Sequence, residues 1–127
     1  MKIFCLAVLL STTFIYNSFG NIDETALQTL SLVLNLVSTI DKEQTSTRPK
    51  FMWIVRDFSL QLIDEKGKVL SPKDYLELAL STNSKENQKL AIRNTILNAF
   101  PERDCFTLVK PLIDELKLQK LDDLPLD

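Results

Sequence analysis

The sequence predicts an α/β fold in which mostly parallel strands are flanked by helices, and three observations carry that expectation. Helix-like and strand-like periodicities alternate along the chain, the pattern of helix-strand units. The run Phe51-Met52-Trp53-Ile54-Val55 is apolar without interruption, as in a parallel strand with both faces covered. Ser71-Pro72 places a capping residue before a proline at the first helical position, so a helix starts between the apolar runs.

Each element follows from its residues. Lys2 to Leu10 reads as a short buried helix, and Thr12 to Tyr16, rich in β-branched and aromatic side chains, as a strand. Asn17-Ser18-Phe19-Gly20 is expected to break it. Asn21 with Glu24 three residues on resembles a capping box. Ala26, Leu30, Val33, Val37 and Ile40 then recur at helical spacing. Asp41 to Lys50 carries charge, Ser, Thr and Pro without period, which marks a solvated connection. Phe51 to Asp57 is the second strand, and Asp64 to Lys68 a turn. A short helix from Ser71 ends at Leu80; another runs from about Lys85 to Ala99 with Leu90, Ile92, Ile96 and Phe100 as its stripe, before Pro101. Cys105 to Val109 is a third strand stopped by Pro111, and Ile113 to Leu121 suggests a final helix.

Composition narrows the function classes. A chain of 127 residues, 45% hydrophobic and 25% charged, is at most one domain. A formal charge of -2 and no histidine remove a basic nucleic-acid footprint and every histidine-based catalytic or metal arrangement. Ser11-Thr12-Thr13 therefore has no base partner, and no catalytic residue is assigned. Cys5 and Cys105 have no metal-type spacing and read as buried, reduced thiols of a cytosolic protein. Lys2, the apolar run Ile3 to Leu10 and Ser18-Phe19-Gly20 imitate a secretory signal peptide. The run is too short to span a membrane, and its removal would leave Cys105 an odd thiol in an oxidising compartment. A small secreted protein is thus the weaker alternative.

Asp57 is the candidate for binding chemistry. It ends an apolar strand, and ligands of open α/β sheets bind beyond the carboxyl ends of the strands. The bland alternative is a strand-end carboxylate that caps a turn. Successive side chains in a strand point to opposite faces, so neighbouring Arg56 is not its partner. Phe51, Met52 and Trp53, like Phe100 and Phe106, read as core rather than as a stacking platform. Asp64-Glu65 and Asp122-Asp123 lie in solvated turns and are assigned no metal or acid/base role.

The run from Phe51 through Arg56-Asp57 to Leu62 resembles the base-reading strand of guanylate-binding proteins, large GTPases of the dynamin superfamily. The likeness continues through Tyr75-Leu76-Glu77, Ile92-Arg93-Asn94 and Phe100-Pro101-Glu102-Arg103-Asp104-Cys105-Phe106-Thr107-Leu108-Val109-Lys110-Pro111. Upstream, Ile3 to Ser18 is similar to the segment after the family's second switch, and the blocks keep family order. The resemblance implies a partial P-loop-GTPase-like sheet over residues 1–127, lying after the second switch and before the guanine cap. It implies guanine binding by Asp57, a pocket-shaping role for Arg56 and a wall role for Val55. GTP is the implied ligand, with Mg²⁺ in the parent domain, a cytoplasmic location and a homodimer through the nucleotide face of the complete protein. Ile54 stands where the family often has a hydroxyl residue. The chain has only Gly20 and Gly67, so no Gly-x-x-x-x-Gly-Lys-Ser/Thr loop occurs in it to cradle phosphates or supply their lysine. The alternatives are a non-catalytic remnant or an interaction module.

Overall fold

The computed structural model of the protein describes residues 2–40, 48–64, 66–81 and 86–111. Its elements are α1 (Lys2–Leu10), β1 (Thr13–Phe19), α2 (Glu24–Ile40), β2 (Lys50–Arg56), α3 (Pro72–Leu80), α4 (Asn87–Ala99) and β3 (Arg103–Leu108). The three strands form one parallel sheet in the order β1-β2-β3. The α/β expectation therefore holds. Strand order advances in a single direction, so crossovers of one hand return the connecting helices α2, α3 and α4 over the same face.

That face is the core. Phe14, Phe51, Trp53, Val55 and Cys105 are buried on it, in register across the sheet as Phe14 beside Phe51 and Trp53 beside Cys105. Helices add Cys5 and Val8 from α1, Leu27, Leu30, Val33 and Val37 from α2, Leu76 and Leu80 from α3, and Ile96 from α4. Phe51 and Phe100 stack at 4.4 Å. The opposite face carries Ile15 and Phe106, 57% and 54% exposed, with Met52 and Ile54 half-buried. Among the described residues no helix is long and apolar enough to cross a membrane.

Several sequence expectations change. β1 does not break at Asn17 but runs to Phe19, because Ser18 Oγ accepts from Trp53 Nε1 at 2.8 Å and Asn17 Oδ1 from Arg56 Nε at 2.9 Å. Polar side chains here reinforce the strand they were expected to end. The α2 start is capped by Asp23, whose Oδ1 accepts from Ala26 N at 2.8 Å, not by Asn21. The α2 stripe shifts to Leu27, Leu30, Ser31, Val33, Leu34 and Val37, leaving Ile40 64% exposed. Phe106 is exposed because it sits on the uncovered face. Ser71 does cap α3, in a reciprocal box with Asp74. Asp64 is a turn residue, its Oδ1 accepting from Lys66 N and Lys68 N. The expected helix from Ile113 to Leu121, the tail acids and Glu65 lie outside the described residues.

Helix α4 buries Arg93 in place of the expected Leu90. Its Nε donates to Ala79 O at 3.1 Å and its Nη1 to Lys89 O at 3.3 Å, while the guanidinium pairs with both carboxylate oxygens of Glu24. One side chain thereby ties α2, α3 and α4 together. The Arg93 hydrogen bond holds the Glu24 carboxyl below its ordinary value of 4.5. A carboxylate depressed in the folded state adds stability that is present above the unfolded value and lost as pH falls through the folded one. Glu24→Gln should therefore lower the urea midpoint at pH 7, and its curve should converge on wild type as pH drops below 4.5. Parallel curves over that window would remove the ion pair from the stability of the fold.

Candidate functional site

Asp57 follows immediately after β2, at the carboxyl ends of all three parallel strands. Its φ is 51°, and it is the non-glycine residue in the left-handed region among those described. Aspartate tolerates that region better than most residues because its short side chain bonds locally. Neighbouring bonds hold the backbone there. Arg56 O accepts from Gly20 N at 2.8 Å on one side, and Phe58 N donates to Leu108 O at 2.9 Å on the other. Phe58 is 5% exposed and meets Tyr75 edge-on at 5.4 Å. A residue in a sparsely populated conformation persists where its surroundings over-determine it, and here both adjoining strands do so.

The loop after β1 is held to the same frame. Gly20 turns the chain at φ 81°, and Ile22 N donates to Tyr75 Oη at 3.0 Å. Burial is the main cause that raises the Tyr75 pKa, partly offset by that bond. The phenol thus remains protonated across the ordinary pH range.

The three candidate binding residues occupy different surroundings. Val55 is fully buried, on the core face beneath the strand ends. Arg56 is exposed on the opposite face, where its Nε donates to Asn17 Oδ1. Asp57 is half-exposed beyond the strand. Trp53 is fully buried and Phe51 nearly so, at 0% and 2%, so neither is a stacking platform. Asn17 and Phe19 were not singled out as site residues because the strand was expected to end before them.

A cleft of about 510 Å³ opens at the other end of the sheet, lined by Thr13, Lys50, Lys73, Glu77, Glu102 and Arg103 among others. Its charges are largely spent on one another, as Lys50 with Glu102 at 3.1 Å and Arg103 with Glu77 at 2.7 Å. It lies away from the carboxyl ends where this architecture binds ligands. Among the described residues no three of His, Cys, Asp and Glu converge as a metal site. Cys5 and Cys105 are free and buried, and burial pushes the Cys105 thiol up to about 12, which leaves it unreactive at neutral pH.

The model of the guanylate-binding protein N-terminal domain family matches residues 1–127. Among curated relatives, guanylate-binding protein 1 of Mus musculus is 39% identical over 94% of this chain. Guanylate-binding protein 3 of Mus musculus is 37% identical over 97% of it, and guanylate-binding protein 1 of Homo sapiens 35% over 98%. The chain spans 22–24% of the length of these relatives. A family match along the whole of the chain, on a parallel sheet of this architecture, makes it a member of the guanylate-binding protein family, corresponding to part of the N-terminal domain.

Proposed function

We propose that this chain is the base-reading part of a GTP-binding, GTP-hydrolysing domain, with Asp57 as the reader of guanine. The observation that carries the reading is the placement of Asp57, fixed in a left-handed conformation between two strand ends. Guanine offers two adjacent donors, the ring N1-H and the exocyclic amino group. A carboxylate is acceptor-only, with two oxygens spaced to take both. Adenine offers an acceptor at the first position and no amino group at the second, so the same carboxylate would be left unpaired against it.

Arg56 and Val55 complete the assignment as pocket-shaping and wall residues. Mg²⁺ and the phosphate-cradling elements belong to the parent domain, as does a homodimer through the nucleotide face. Its location is the cytoplasm, where the free thiols of Cys5 and Cys105 stay reduced. A second reading, a non-catalytic interaction module, is favoured by the exposed Ile15 and Phe106 on the uncovered sheet face.

Two measurements on the purified 127-residue chain test the first reading. Guanine nucleotides should compete for binding at least about ten-fold better than adenine nucleotides, the discrimination expected when a base covers the carboxylate without pairing it. Phosphate release from GTP should stay at the level of a buffer blank, because no P-loop lysine or backbone cradle occurs in the sequence. Equal binding of the two bases would sink the guanine assignment. Turnover that survives repurification and magnesium titration would sink the division of labour between this chain and the rest of the domain.

A further inference from the structure

Among the described residues β1 pairs with β2 and with no other strand, and the bonds at its two ends fix which way its backbone groups turn. Thr12 O accepts from Lys50 N, and Gly20 N donates to Arg56 O. The even-numbered residues of β1 therefore bond to β2, and because alternate residues of a parallel strand serve opposite neighbours, Thr13, Ile15 and Asn17 turn their N–H and C=O groups to the open side. An apolar groove of about 610 Å³ runs beside that edge, between α1 and β1, lined by Ile3, Leu6, Leu10, Phe14 and Ile15 among others. Ile3 and Leu10 are 83% and 81% exposed. Edge strands that stay unpaired commonly carry charge or proline. Residues 3–19 contain neither.

We propose that this edge is an interface between two copies of the chain, in which β1 pairs antiparallel with its counterpart about a two-fold axis at Ile15. A row of outward N–H and C=O groups is satisfied by another strand. A two-fold axis normal to the sheet at Ile15 sets that residue opposite itself and Thr13 opposite Asn17, so each outward N–H meets a C=O. The same axis keeps both cores on one side of the joined sheet, and each α1 brings Ile3, Leu6 and Leu10 to the groove of the other copy. With the strand edge, these side chains offer most of the roughly 800 Å² per partner that a standard interface buries. Pairing like with like would be opposed by any charge at the edge. The charge-free run removes that obstacle, and a second copy is always at hand at the chain's own concentration. The interface lies on the edge strand, apart from Asp57, and is independent of the guanine reading.

Light scattering after size exclusion, on the purified chain without nucleotide, should give twice the mass of the chain and should not change with GTP. Ile15→Lys and Ile15→Glu each set like charges against one another at the axis and should weaken pairing by roughly ten-fold or more. Mixed together, the two variants should recover it as a heterodimer, because lysine then faces glutamate. Ile15 is exposed on the uncovered face, so both variants should keep the far-ultraviolet circular dichroism of wild type. In the wild-type dimer the amides of Thr13, Ile15 and Asn17 should be protected from hydrogen exchange. Rapid exchange of all three would overturn the proposal however the variants fold. A monomeric wild type would overturn it too, as would oligomers of growing mass, which a closed two-fold pair does not form. Two folded, monomeric variants that fail to pair on mixing would overturn the axis at Ile15 and the interface built on it.

Discussion

Replacing Trp53 with alanine should lower the stability of the fold by about 3–5 kcal/mol, the range for truncating a large buried aromatic. Trp53 has no exposed surface. Its ring meets Tyr16 edge-on at 5.0 Å and Phe51 at 5.9 Å, and its Nε1 donates to Ser18 Oγ at 2.8 Å. Alanine leaves a cavity beneath the middle strand and a hydroxyl without its donor. A loss of that size is a large share of the roughly 5–15 kcal/mol that holds an ordinary domain together. The adjoining Ile54 supplies the comparison, since it points to the half-covered face. Ile54→Ala should cost about 1–2 kcal/mol, well under the full-burial range. Urea titration followed by far-ultraviolet circular dichroism measures both, and is unaffected by loss of the chain's single tryptophan. Comparable costs at the two positions would contradict the assignment of core and open faces.

The split between those neighbours shows what the sequence could convey. An unbroken apolar run identifies a parallel strand, but it does not say that one face is covered while the other is left half-open. That depends on strand order, which advances one way here and sends the described helices to a single side. The same topology accounts for Phe106, expected in the core and found exposed. Local signals were legible where chemistry is local, as in the Ser71 box that starts α3. They failed where a distant partner decides. Asn17 and Ser18 stay in β1 because Arg56 and Trp53, on the next strand, take their side-chain oxygens. Arg93 is buried because Glu24 and Ala79 meet it from two other helices.

The candidate site divides in the same way. Arg56-Asp57 at the end of a strand was visible from pattern and family likeness. The left-handed backbone at Asp57, the Asn17 contact to Arg56 and the Tyr75 contact to Ile22 were not. Each of them depends on register between segments far apart in the chain.

The positive φ at Asp57 also decides how its role should be tested. Residues 3–121 placed in a complete guanylate-binding domain would restore a phosphate site and isolate the base contact. In that setting Asp57→Asn should weaken GTP by about 1.5–3 kcal/mol, or roughly ten- to a hundred-fold. Asparagine keeps the size and shares aspartate's tolerance of the left-handed region, so the loss cannot be assigned to backbone strain. Its NH₂ replaces one acceptor and faces one of guanine's two donors. Xanthine carries a carbonyl where guanine has its amino group, so the same variant should improve xanthosine triphosphate relative to GTP. Asp57→Gly separates the remaining possibility. Glycine accepts φ 51° at no steric cost but has neither acceptor, so it should lose guanine selectivity without gaining xanthine. If GTP affinity and the guanine-to-xanthine ratio stay unchanged in both variants, Asp57 is a strand-end carboxylate held in a strained turn, and the base is read elsewhere.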